Sequence, residues 1–216
     1  MNNASFTRRL VAFVIDFIFI SAILMILAYF MPKSANYNFL TQDMNELTEQ
    51  AMNNEITFEA YSKEFAKNLI EIDKASVVYN ATSFIILVIY YVIIPVFTSR
   101  TLGKRIMRIK IEHKKGKKLN ILNTFTRSIV DIGLLYSLIT VFLVQIVDYK
   151  TYFFTLIIFG IIQFLLVIIS AFMILYRRDK RGLGDILSRS NVVLNEVRKW
   201  ENLQNKNKLE EINYKI

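Results

Sequence analysis

Apolar runs without charge alternate along this chain with short basic stretches. Residues 10–31 contain a single charge, Asp16. Residues 76–98 and 151–176 contain none, and residues 128–147 contain only Asp131, near the start of the run. Each run is roughly 20–25 residues long, and a helix rising ~1.5 Å per residue covers a hydrocarbon core of ~30 Å over that length. The pattern predicts four transmembrane helices. The first run follows Arg8 and Arg9, as the apolar part of a signal peptide follows a basic start. It is longer than the roughly 7–15 residues of such a region, and Pro32-Lys33-Ser34 makes a poor cleavage site. It therefore reads as a retained span.

The polar stretches carry periodicities of their own. Within residues 32–75, Phe58, Tyr61, Phe65, Leu69 and Ile72 recur at three- and four-residue spacing with charged residues between them, which predicts an amphipathic helix. Leu40, Met44, Leu47 and Ala51 suggest a weaker helix before it. The apolar stripe is expected to pack on the ends of the spans or to lie in the interface; a lid or partner-binding surface is the alternative. Within residues 99–127, Arg108-Ile109-Lys110-Ile111-Glu112 alternates polar and apolar, Lys114-Lys115-Gly116-Lys117 reads as a turn, and Leu119 to Ile121 can return. That is a hairpin pattern. Asn123 or Thr124 is placed to cap the helix that enters the third span.

Near the end, Gly182 to Leu187 reads as a turn or short helix at the membrane surface, and Asn191-Val192-Val193-Leu194 offers a third strand. The fold class expected is an all-α membrane protein: four transmembrane helices, a small cytoplasmic β-hairpin or three-stranded sheet, and an outer amphipathic helix. A membrane domain covers residues 1–195, and residues 196–216 form a cytoplasmic polar tail, helical and then frayed.

Charge sets the direction of the spans. Residues 99–127 hold ten Lys or Arg against one acid, residues 177–216 hold another ten, and Arg8 and Arg9 add to the N-terminus. Residues 32–75 hold four Lys against eight acids. Basic loops stay inside, so both termini and the central loop are expected in the cytoplasm and residues 32–75 outside a plasma membrane. The abundant Asn, Lys and Ile suggest an AT-rich bacterial genome. The formal net charge of +9 is explained first by this topology and by contact with the anionic cytoplasmic leaflet. No nucleic-acid-binding motif accompanies it, and nucleic acid is not an expected partner.

The chemistry available is narrow. The chain has no cysteine, so disulfides, thiolate metal sites and Cys nucleophiles are excluded. Gly103-Lys104 lacks the upstream Gly and following Ser or Thr of a phosphate loop. His113 has no acids at ligand spacing and reads as a solvated turn residue, so neither a metal nor a cofactor is expected. No nucleophile–base constellation stands out, and no enzymatic activity is expected. The intramembrane acid remains. A carboxylate near the bilayer centre costs ~2.5–3.5 kcal/mol on insertion scales, so Asp16 should face protein or water and have a partner. Arg9 lies on nearly the same helix face; Arg105, Arg127 or bridging water are the other candidates. Asp16 reads equally as a packing clamp or as a cation or proton site. Asp131, four residues after Arg127, reads as an ordinary ion pair on a helix surface.

Three blocks of the chain, in order, resemble the RDD family of integral membrane proteins. Arg8-Arg9-Leu10-Val11-Ala12-Phe13-Val14-Ile15-Asp16 resembles its first helix, opened by an Arg with an Asp inside. Thr101-Leu102-Gly103-Lys104-Arg105 resembles its Thr-Pro-Gly-Lys-Arg segment, with Leu102 in place of Pro. Gly184-Asp185-Ile186-Leu187 resembles its closing His-Asp-Leu-Leu segment, with Gly184 where His is common. The resemblance implies that Arg9, Asp16 and Asp185 are the motif residues, with Arg8 a competitor for the first role. It also implies a molecular function for which transport of unidentified ligands has been suggested. Two readings stand side by side. One is cation- or proton-linked transport through Asp16, in an oligomer because four helices enclose little. The other is an accessory, scaffold or regulatory protein that binds another membrane protein. Broken helices and several polar groups near the midplane would favour transport; the second and fourth spans show almost none.

Overall fold

The computed structural model describes residues 3–31, 34–114, 116 and 118–195. The tail expected at 196–216 lies outside the described residues. The fold is mostly helical. Helix α1 spans Phe6–Phe30, α2 Tyr37–Met52, α3 Phe58–Ala75 and α4 Val77–Val88. A π-helical turn, Ile89–Ile93, joins α4 to α5, Ile94–Thr98. Then follow α6 (Leu102–Ile106), strand β1 (Ile109–His113), α7 (Ile121–Ile132), α8 (Leu134–Leu143), α9 (Tyr149–Tyr176), α10 (Leu183–Leu187) and strand β2 (Ser190–Leu194).

Among the described residues, three stretches are long and apolar enough to cross a membrane: Phe6–Phe30, Val77–Ile106 and Tyr149–Tyr176. Phe154, Phe164 and Phe172 on α9 are all more than half exposed, and only 6 % of that helix's most apolar window is buried. A helix apolar all round and left uncovered is solvated by lipid. A fourth crossing exists only if α7 and α8 count as one. The third span expected at 128–147 is not one helix: α7 and α8 are bent 84° apart. Gly133, between them, has φ +68°, a left-handed conformation that costs a residue without a Cβ little. Helix α7 also begins earlier than expected. Asn120 and Asn123 cap each other, with Asn123 N donating to Asn120 Oδ1 at 2.8 Å and Asn120 N to Asn123 Oδ1 at 3.3 Å. The capping residue is therefore Asn120 rather than Asn123 or Thr124.

The chain forms two compact units. The first comprises the described residues within Met1–Ile20, Ile89–Asp131 and Val167–Ile216. It contains the sheet. Strand β1 pairs antiparallel with β2, in the register Ile109↔Leu194, Ile111↔Val192 and His113↔Ser190. The alternation around Ile109 and Ile111 thus does form a strand, and the segment at Val192 and Val193 does pair with it. The hairpin is not formed: Leu119 and Asn120 are not in a strand, and Leu119 is buried with Ala4, Ala12, Ile109, Ile111 and Val192. The N-terminal segment supports the other edge of β2, where Ala4 N donates to Val192 O at 2.8 Å and Asn3 bridges Val193. A two-stranded ribbon is marginal in water, and this apolar cluster gives it a floor. His113 closes β1 rather than standing in a turn.

The second unit comprises Ser21–Val88 and Ile132–Leu166. Helix α3 covers the residues its periodicity predicts. Thr57 caps it by accepting from Ala60 N at 3.3 Å, and Glu59 and Lys74 sit at the ends that suit the helix dipole. The weaker helix α2 is also present, tied to α3 where Asn68 Nδ2 donates to Asp43 Oδ2 at 2.6 Å. The residues of α3 that are buried are Ala66 and Ile70, beside the expected stripe rather than on it. Ile70 packs with Val144 and Tyr152, Leu69 of the stripe is partly buried against them, and Phe58 at its start is exposed.

Candidate functional site

Asp16 lies on the buried face of α1, between Ala12 and Ile20, and is 1 % exposed. Its partners are not the arginines. Tyr90 Oη donates to Oδ1 and Thr101 Oγ1 to Oδ2, each at 2.5 Å, and Gly103 N donates to Oδ1 at 2.7 Å. The Lys104 ammonium stands 3.9 Å from Oδ2 and supplies the opposite charge. The first turn of α6 has unpaired backbone N–H groups, as every helix start does. Here the carboxylate of a different helix takes one of them, and Thr101 spends its hydroxyl on Asp16 rather than on its own helix. Gly103 must lack a side chain because a Cβ would collide with the Ala12 carbonyl. The expected Arg105 contact is not made: Arg105 is exposed.

The π-helical turn aims Tyr90 at this site. Pro95 has no N–H to give the Tyr91 carbonyl four residues back. Ser128 Oγ donates to that carbonyl at 3.2 Å, and the turn before Pro95 widens to the π form.

Arg9 and Asp185 meet although 176 residues separate them. Arg9 Nη1 donates to Asp185 Oδ2 at 2.5 Å, and Arg127 Nη1 pairs with Oδ1. Gly182 N donates to Oδ2 at 3.1 Å, so Asp185 also caps α10. Arg127 Nε lies 2.9 Å from Asp131 Oδ2. Two guanidiniums and two carboxylates make a cluster of zero net charge, which is what a buried ionic group requires. Burial alone would push the Asp185 carboxyl up, but Arg127 and Arg9 hold it below the usual carboxylate range. The expected i,i+4 pair with Asp131 is thus present, and it joins the buried cluster through Arg127: the Arg127 side chain is only 10 % exposed, while that of Asp131 is 31 % exposed. Space that a side chain at position 184 would fill is taken by Asp131 Oδ1; that explains a Gly where the resemblance leads one to expect His. Arg8 is not in the cluster. It lines a separate cavity of about 320 Å³ with Asn3, Ser5, Lys180 and Leu194.

The second unit holds a site that the sequence did not point to. A cavity of about 490 Å³ lies among α3, α4, α8 and α9. Asp73, near the end of α3, lines it. Tyr152 Oη donates to Asp73 Oδ2 at 2.7 Å, and Asn80 Nδ2 approaches Oδ1 at 3.5 Å. No Lys or Arg pairs with Asp73 among the described residues; the adjacent Lys74 is held by Glu71 at 2.8 Å. Burial pushes the Asp73 carboxyl up, and the Tyr152 and Asn80 hydrogen bonds only partly oppose this. Ser83 lines the cavity, and its Oγ is buried without a hydrogen-bond partner. Asn80 and Ser83 belong to the second span, which is therefore less apolar on this side than its composition suggests.

Exposed apolar helices, two buried neutral ionic clusters and a small closing sheet define a polytopic helical membrane protein whose motif acids are internal. Residues 3–189 match the RDD family, and the chain belongs to it. No curated protein and no solved structure matches the chain.

Proposed function

We propose that the protein is a multi-pass protein of the bacterial plasma membrane that carries out cation- or proton-linked transport, with the carried species bound at Asp73 and not at Asp16. One contrast carries this reading. Both Asp16 oxygens already accept strong hydrogen bonds beside a lysine, and Asp185 is held between two guanidiniums, so neither has coordination to offer. Asp73 has a cavity in front of it and only neutral donors on it. On this reading Arg9, Asp16 and Asp185 are packing residues that hold chain ends and helices in register. The test is cation- or proton-linked flux in proteoliposomes. Asp73→Asn should insert normally and lose the flux, while Asp16→Asn should lower stability and keep flux in the folded fraction. Loss of flux in Asp16→Asn with Asp73→Asn unaffected would return the site to Asp16.

The orientation proposed from the charge distribution keeps both termini and residues 99–127 in the cytoplasm and residues 32–75 outside. Because the chain lacks cysteine, single cysteines at Asn54 and Lys114 can be compared directly. A membrane-impermeant thiol reagent applied to intact cells should label position 54 alone. Labelling of 114 alone would invert the topology.

A partner-binding role is favoured by one other observation. Phe39 and Met52 on α2 and Phe58 on α3 are 70 %, 78 % and 83 % exposed outside the spans. A partner protein seated on α2 and α3 would cover these side chains.

A further inference from the structure

We infer that the cavity at Asp73 takes a small organic ammonium ion, a protonated alkylamine, rather than a bare metal cation. The inference rests on the choice of site made above and names its ligand class. Four features of the cavity point the same way. The carboxylate has no basic partner among the described residues, so it lacks a positive charge that only a ligand can bring. A half-buried carboxylate gains most from a partner that is both charged and a hydrogen-bond donor. An ammonium meets both requirements.

The walls are mixed. Phe84, Tyr136 and Phe153 bring rings, and Leu87 and Ile157 bring aliphatic surface. Aromatic rings attract organic cations through their faces, and aliphatic walls accept an alkyl chain. A metal ion would instead need a shell of oxygen ligands around it. The volume of about 490 Å³ is far larger than a cage for one dehydrated ion; it falls in the range of small-molecule sites. The last feature is the buried Ser83 hydroxyl, which has no partner. A buried hydroxyl left unpaired is costly, and an N–H of the ligand satisfies it.

The probe is n-butylammonium chloride, titrated calorimetrically into the full-length protein in detergent. Parallel titrations use sodium chloride, potassium chloride and 1-butanol, the uncharged analogue of the same shape. Butylammonium should bind saturably at one site per chain, and the other three should not compete. Asp73→Asn should weaken binding at least tenfold, and Ser83→Ala by a smaller factor. Ser83→Ala removes only a hydroxyl, so it remains informative if Asp73→Asn fails to fold. Sodium or potassium displacing the amine would overturn the inference, as would amine binding unchanged in both variants or equal binding of 1-butanol. Because binding is measured without a membrane gradient, the two readings can fail separately. Amine binding without any flux would remove transport and keep the site. Cation flux that depends on Asp73, without amine binding, would keep transport and remove the amine.

Discussion

Asp185→Asn is expected to be the most damaging single substitution in this protein, lowering stability by about 3–5 kcal/mol, the usual cost of breaking a buried ion pair from one side. The amide keeps the size and can still accept from one guanidinium. It leaves the cluster with two positive charges against Asp131 alone, and it weakens the cap on Gly182 N. The pH dependence follows from the sign of the shift. Arg127 and Arg9 hold the folded carboxyl below its unfolded value, so its contribution is complete above an unfolded pKa of about 3.9 and is lost as pH falls through the lower folded value. Thermal unfolding in detergent should show wild type losing stability on acidification below about pH 4. The variant should start low and lack that component. A variant as stable as wild type at neutral pH would show that the cluster does not hold the first unit together.

Gly103→Ala is the second large effect, and its sign separates local from tertiary control. On helix propensity alone, alanine in α6 should stabilise by up to ~1 kcal/mol. The opposite is expected. The new methyl would meet the backbone carbonyl of Ala12 and the Asp16 carboxyl carbon, at 3.0 Å for the latter, and backbone cannot rotate away as a flexible side chain could. Overpacking costs typically ~1–3 kcal/mol, and a backbone obstacle puts the cost at the upper end. The displaced α6 would also pull Gly103 N from Asp16 Oδ1. A lower midpoint of thermal unfolding for the alanine variant is the expected result; a raised one would mean that α6 is free of α1.

The local features of this chain were legible in its sequence. Hydropathy found α1, the stretch through α4 and α5, and α9, because lipid solvates a helix residue by residue and the cost of each charge is local. Periodicity found α2 and α3 for the same kind of reason: a stripe every three or four residues is a property of one helix. The alternation at Ile109 and Ile111 marked β1, and the β-branched pair at Val192 and Val193 marked its partner. The family resemblance singled out Arg9, Asp16 and Asp185, and Gly103 and Lys104 beside them.

What these residues touch was decided by the tertiary structure. Helical spacing placed Arg9 and Asp16 on one face but too far apart along it to meet directly, and each found its partners far along the chain. Arg9 reaches Asp185, and Asp16 reaches Tyr90, Thr101 and Gly103. Tyr90 carried no signal as a tyrosine within an apolar run, because only the π turn before Pro95 aims it. Thr101 stood in the recognised motif, but its role depended on α6 meeting α1. The break at Gly133 was hidden because glycine also occurs within continuous helices and nothing local forces it to φ +68°. The Asp73 cavity was hidden for a more general reason. Its polar wall residues come from three helices far apart in sequence, Asp73 from α3, Asn80 and Ser83 from α4, and Tyr136, Ser137 and Thr140 from α8, and no local pattern links them. Local pattern reports the free energy of placing a segment in water or lipid; which polar groups then converge depends on contacts between segments, and those belong to the packed fold.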